Sequence, residues 1–147
     1  MLYNYPEVGD KEVVGSISSA VAYGNVRQVF NSIGTVLDTM GSSPRRYLLE
    51  CTHTDFQYDL DGFVHRFATG RHLAAMLAGI KGVLETYGTL QDGFAAGVEK
   101  ADANYLPALG RFAGAIRSNC GQTDPGHLID HLERAVHASA FSCFLGG

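Results

Sequence analysis

The residues with the clearest claim to chemistry are histidines. His127 and His131 stand four apart, so on a helix they share a face and could ligate a metal, with Asp130, Glu133 and His137 beside them. The H-E-x-x-H arrangement is incomplete, because Leu128 and not glutamate follows His127. The same residues also read as the polar side of a helix whose other side carries Leu128, Leu132 and Val136, and that is the reading adopted; no metal ligand is assigned. Asp55, Asp59 and Asp61 do not follow the calcium-loop spacing and read as turn and cap residues. Ser18-Ser19 and Ser42-Ser43 lack a G-x-S-x-G context, and Cys51 beside His53 has no orienting third group. No phosphate-binding glycine loop of either common type occurs, and no cofactor is expected.

Leu106-Pro107-Ala108-Leu109-Gly110-Arg111 resembles the start of the L-P-G-V-G-R helix-hairpin-helix turn of DNA glycosylases, and Asp130 follows Gly110 at about that family's aspartate offset. The resemblance implies glycine amides gripping a DNA phosphate. Ala108 replaces the first glycine, and Phe112 and Ala113 stand where small and hydroxyl residues are usual. Leu106 to Ile116 also reads as one continuous amphipathic helix, which is the preferred reading.

These residues must be positioned by helices. Asp10 can cap a first helix to about Tyr23, with Val13, Ile17 and Val21 on one face. Asn25 caps the next, where Val26, Val29, Phe30, Ile33, Leu37 and Met40 form the stripe and Gly41 supplies the stop. Ser43-Pro44 opens a short helix through Leu49. Cys51 to Ala68, rich in turn-forming aspartates and aromatics, reads as a loop with room for a short helix. Thr69 caps a long helix with Leu73, Met76, Leu77, Ile80 and Leu84 inward, ending at Gly88. Thr89 caps a short helix through Val98, Asn104 another carrying Leu106, Leu109, Phe112 and Ile116, and Pro125 opens the last. No segment shows the period-two alternation of a strand. The expectation is an all-α single compact domain of six to eight helices over residues 1–147.

Glycine is abundant at 18 residues, and Gly15, Gly34, Gly79, Gly82, Gly110 and Gly114 fall inside expected helices. Each is unfavourable there by about 1 kcal/mol against alanine, so either helices approach closely at these points or the fold is marginal. The end, Ala140 to Gly147, is apolar and is expected to pack against something that follows, which suggests a truncated chain.

Composition narrows the function. With 46% apolar and 18% charged residues the chain is not expected to be disordered, and no apolar run reaches the roughly 18 residues that a membrane span needs. Its net charge of −4 disfavours a strongly basic nucleic-acid binder but leaves room for a local patch. Cys51, Cys120 and Cys143 form no paired framework, which is the pattern of reduced thiols in a cytoplasmic protein.

Three further blocks, together with Leu106-Pro107-Ala108-Leu109-Gly110-Arg111-Phe112, carry a resemblance over nearly all of residues 1–140. Asp10-Lys11-Glu12-Val13-Val14 and Ser18-Ser19-Ala20-Val21-Ala22-Tyr23-Gly24-Asn25-Val26-Arg27-Gln28, then Gly62-Phe63-Val64-His65-Arg66-Phe67 with Thr69-Gly70, resemble a bacterial family known as domain of unknown function 2400. Members of that family are longer at both ends and carry later basic and aspartate-bearing blocks that do not occur here. The resemblance therefore implies the first part of an all-helical protein remotely similar to helix-hairpin-helix glycosylases, without a complete active site. By the same analogy Asp130 is not the catalytic aspartate. It implies DNA as a partner, with Tyr23, Asn25, Arg27, Gln28, His65 and Arg66 as the candidate contacts. Tyr23 offers a stacking face, Arg27 and Gln28 offer polar contacts, and the helix start at Asn25 offers amides. His65-Arg66 could instead tie its loop to Asp59 or Asp61. A helical protein-interaction or small-molecule-binding module is the alternative. Whether the chain is an enzyme, and its oligomeric state, stay open at this point.

Overall fold

The computed structural model describes residues 5–137, with side chains described through residue 134. Among them are eight helices, α1 (Val8–Val21), α2 (Val26–Met40), α3 (Pro44–Glu50), α4 (His53–Asp59), α5 (Gly70–Tyr87), α6 (Leu90–Ala95), α7 (Leu106–Asn119) and α8 (Leu128–His137). The all-α expectation holds. The apolar segment from Ala140 onward lies outside the described residues.

α5 is the centre. Leu73, Met76, Leu77, Ile80 and Leu84 are buried as their spacing predicts, and so are Ala74, Ala75 and Val83 on its other sides. It packs against α3, α4, α6, α7 and α8, while α1 closes on α8, α2, α3 and α6. Part of the glycine content has its reason here. A β-carbon on Gly79 would run into the Ile116 backbone oxygen of α7, and one on Gly70 into that of Leu60. The helices approach more closely than any side chain allows.

Acidic residues of α1 hold two other helices. Asp10 does not cap its own helix, contrary to the sequence expectation; Glu7 takes the N-cap position and Asp10 turns inward. Its Oδ1 accepts from Ser43 Oγ at 2.8 Å and from the Arg45 amide at 3.0 Å, at the start of α3. At the other end of α3, Lys81 Nζ donates to the carbonyls of Leu48 and Leu49, each at 2.9 Å. Both charges match the helix dipole they meet. Glu12 accepts from the Leu90 and Gln91 amides at 3.2 and 2.8 Å and so seats α6. Burial pushes its carboxyl above the usual carboxylate range, against the pull of those amides and of Arg45.

Residues 51–69 are more ordered than expected. Thr52 and Asp55 form a capping box for α4. A hairpin of two-residue strands follows, β1 (Val64–His65) and β2 (Ala68–Thr69), antiparallel with His65 opposite Ala68. Strands this short cannot display a readable alternation. The six-residue L-P-A-L-G-R segment belongs to one continuous helix, α7, in which Gly110 has no positive φ. The hairpin turn that would cradle a phosphate is therefore absent there, and Arg111 is engaged by Asp102 instead.

Two substitutions separate close packing from simple helix weakness. Gly79→Ala should destabilise by about 1–3 kcal/mol, since α5 and α7 must part. Gly34→Ala, in α2 with nothing within 4 Å of the added carbon, should stabilise by about 0.5–1 kcal/mol. Urea denaturation of the two variants beside the wild type checks both signs.

Candidate functional site

The chain turns sharply between α1 and α2. Gly24 takes φ +92°, open to glycine at little strain, and Asn25 then caps α2. The Asn25 side chain accepts from the amides of Arg27 at 2.9 Å and Gln28 at 3.4 Å. Two of the amides expected to face an anion are thus already satisfied. Asn25, Arg27 and Gln28 themselves are exposed.

The β-hairpin is fastened to this corner. His65 is buried at 2% exposure, and its ring lies between two partners. Nε2 donates to the Tyr23 carbonyl at 3.0 Å. A carbonyl only accepts, so this nitrogen carries the proton, and in the neutral ring Nδ1 receives the Ser32 hydroxyl at 2.7 Å. The Tyr23 hydroxyl returns the contact by donating to the His65 carbonyl at 3.2 Å. The two rings meet edge to face at 4.8 Å. His131, from α8, stacks on Tyr23 at 4.2 Å. The stacking face expected of Tyr23 is therefore held within the protein, and burial raises the Tyr23 phenol against the opposing charge of Arg66.

Arg66 is the one non-glycine residue with positive φ among those described, at +55°. Its stem crosses Gly24, where a β-carbon would come within 2.7 Å of Cδ. Gly24 thus leaves the room that the Arg66 side chain occupies. Among the described residues no ion pair joins Arg66 to Asp59 or Asp61; Asp59 accepts from the Tyr47 hydroxyl at 2.7 Å instead.

Beside the hairpin lies an open groove of about 470 Å³ lined by Gln28, Asn31, Ser32, Val64, His65, Arg66 and Phe67. Four of the six candidate residues, Gln28, His65, Arg66 and Tyr23, are thus brought to one place from segments far apart in sequence, with Asn25 and Arg27 at the adjoining start of α2. The groove holds an arginine and no carboxylate. The grooves around Asp10, around Asp130 and around Asp61 each hold at least one.

A family model described as a protein of unknown function, DUF2400, matches residues 1–144. The chain belongs to that family. No curated protein and no solved structure matches it.

Sequence reasoning missed three participants in this DUF2400 site. Ser32 carries no motif signal. Phe67 reads as one of the aromatics of the Cys51 to Ala68 loop, yet it is 84% exposed. Spacing groups His131 with His127, but the rings have different neighbours: His127 Nδ1 lies 3.5 Å from Asp130, and His131 lies on Tyr23. Among the described residues no group of three or more histidine, cysteine, aspartate or glutamate side chains is placed to hold a metal. Cys51 and Cys120 are free thiols, and Cys120 donates to the Ala75 carbonyl. None of the described helices is long and apolar enough to cross a membrane.

The Tyr23–His131 stack has a pH signature. Burial lowers the His131 pKa below its ordinary 6.5, and Arg134, His127 and His65 add to the depression while Asp130 opposes it. The unfolded chain then binds the proton first as pH falls, so this residue contributes a loss of stability from about pH 6.5 down to the depressed folded value. His131→Phe keeps the stack without the charge. Unfolding measured from neutral to acid pH should fall less steeply for this variant than for the wild type, with the two parallel above that window.

Proposed function

We propose that the face formed by the start of α2 and the β-hairpin binds nucleic acid through its phosphates. The observation that carries this reading is the carboxylate-free groove with Arg66 at its rim in a protein whose net charge is −4. Arg27 adds a second exposed cation at the adjoining helix start, and Gln28 and Asn31 add neutral donors and acceptors. Two other arginines are neutralised, Arg111 by Asp102 and Glu99 and Arg117 by Asp130 and Glu133. Arg27 and Arg66 have no ion-pair partner among the described residues. The resemblance to helix-hairpin-helix glycosylases points the same way, to DNA as the partner, in a bacterial cytoplasmic protein. No residue of the chain is assigned a catalytic role in this reading.

A second reading, a protein-interaction module, is favoured by α2. Its apolar stripe continues past the core, leaving Val26 69% and Phe30 56% exposed. Its mark would be a defined protein partner whose binding Phe30→Ser abolishes and salt leaves intact.

Binding of labelled DNA by fluorescence anisotropy over a series of salt concentrations tests the first reading. Affinity should fall steeply with salt, because bound phosphates release counterions. Arg27→Ala and Arg66→Gln should each weaken binding severalfold and flatten the log–log salt slope by roughly one unit. Salt-independent binding, or none at low salt, would defeat the proposal.

A further inference from the structure

We infer that Phe67 is a base-stacking platform and that the groove beside it takes single-stranded nucleic acid in preference to intact duplex, an inference that rests on the nucleic-acid reading above. Phe67 stands at the tip of the hairpin with 84% of its surface in solvent. An aromatic ring left so open has no role in the core. The tip that carries it is nevertheless fixed. Its neighbours in the two strands, His65 and Ala68, are buried and opposite one another. His65 is held on both ring nitrogens, by Tyr23 in the corner between α1 and α2 and by Ser32 of α2, and the Gly70 amide donates to the Phe63 carbonyl at 2.9 Å across the base of the hairpin. Arg66, in the left-handed region, makes the turn. A ring presented from a pinned turn needs little ordering on binding.

The surroundings select the ligand. Phe67 has neither donor nor acceptor and cannot read base edges in the groove of a duplex. Its face can stack on a base, and that face is available only where bases are unpaired. Arg66 sits next to it in sequence and supplies a phosphate contact, while the amides of Gln28 and Asn31 on α2 line the same groove and suit base edges. Stacking ring, cation and amides with no carboxylate among them match a strand with splayed bases.

The test uses the full chain with a short mixed-sequence DNA strand and with the duplex of the same sequence, each labelled, at one low salt concentration and then over a salt series. The wild type should bind the single strand about tenfold more tightly than the duplex. Phe67→Ala should lose about tenfold on the single strand, with duplex affinity and salt slope unchanged, and Phe67→Trp should restore the preference. Exposure of the side chain keeps either variant from disturbing the fold. If the wild type binds neither DNA, the nucleic-acid reading falls and this inference with it. If it binds through Arg27 and Arg66, yet prefers duplex or is indifferent to Phe67→Ala, the general reading stands and this inference is overturned.

Discussion

α5 is buried on nearly every side, and at two points its neighbours' backbones approach it where it has no side chain. Gly70 meets the Leu60 backbone and Gly79 the Ile116 backbone. Between and beyond them, Leu73, Met76, Leu77, Ile80 and Leu84 fill the remaining space. The arrangement trades helix propensity for contact: two unfavourable glycines are offset by close packing along the most buried helix of the molecule. The consequence reaches the candidate site, because Gly70 is both the first residue of α5 and the residue that closes the hairpin. Wherever α5 is fixed, the tip bearing Arg66 and Phe67 is fixed with it.

Charge is distributed by the same economy of position. Asp10 and Glu12 are one turn of α1, yet they point into two different helix starts, and Lys81 answers from α5 at the end of α3. Other carboxylates are engaged locally, Asp102 with Arg111, Asp130 and Glu133 with Arg117, Asp59 with Tyr47. What remains around the hairpin is a groove without carboxylates. A protein of negative net charge can in this way keep a cationic face, since the field near a ligand is set by the nearest groups and is screened beyond about 10 Å.

Much of the helical frame was legible from residue spacing. Asn25 caps α2 as read, Ser43 and Pro44 open α3, Thr89 caps α6, and Gly41 and Gly88 end their helices with positive φ. The stripe of α5 is buried throughout. Each of these depends on groups a few residues apart, and local geometry suffices to recognise them. Asp10 misled because a carboxylate near a helix start has the same appearance whether it caps its own helix or another. The α2 stripe misled at one end only: Val26 and Phe30 have the right spacing, but no element among the described residues covers them, so they are exposed while Ile33 and Leu37 are covered.

By itself, then, the order of residues determined that the chain is helical, where several helices begin or end, which face of most is apolar, and that A-Y-G-N-V-R and F-V-H-R-F are the distinctive blocks. Tertiary structure alone decided that these blocks touch. The bond between Ser32 and His65 spans 33 residues and that between Tyr23 and His65 spans 42, and His131 arrives from the last helix. No local window contains both partners of such a contact. Whether a histidine is a ligand, a surface group or a buried post depends on what the rest of the chain brings beside it. For His65 that is a carbonyl and a hydroxyl, which together satisfy both ring nitrogens and turn a two-residue strand into a fixed support for the exposed tip.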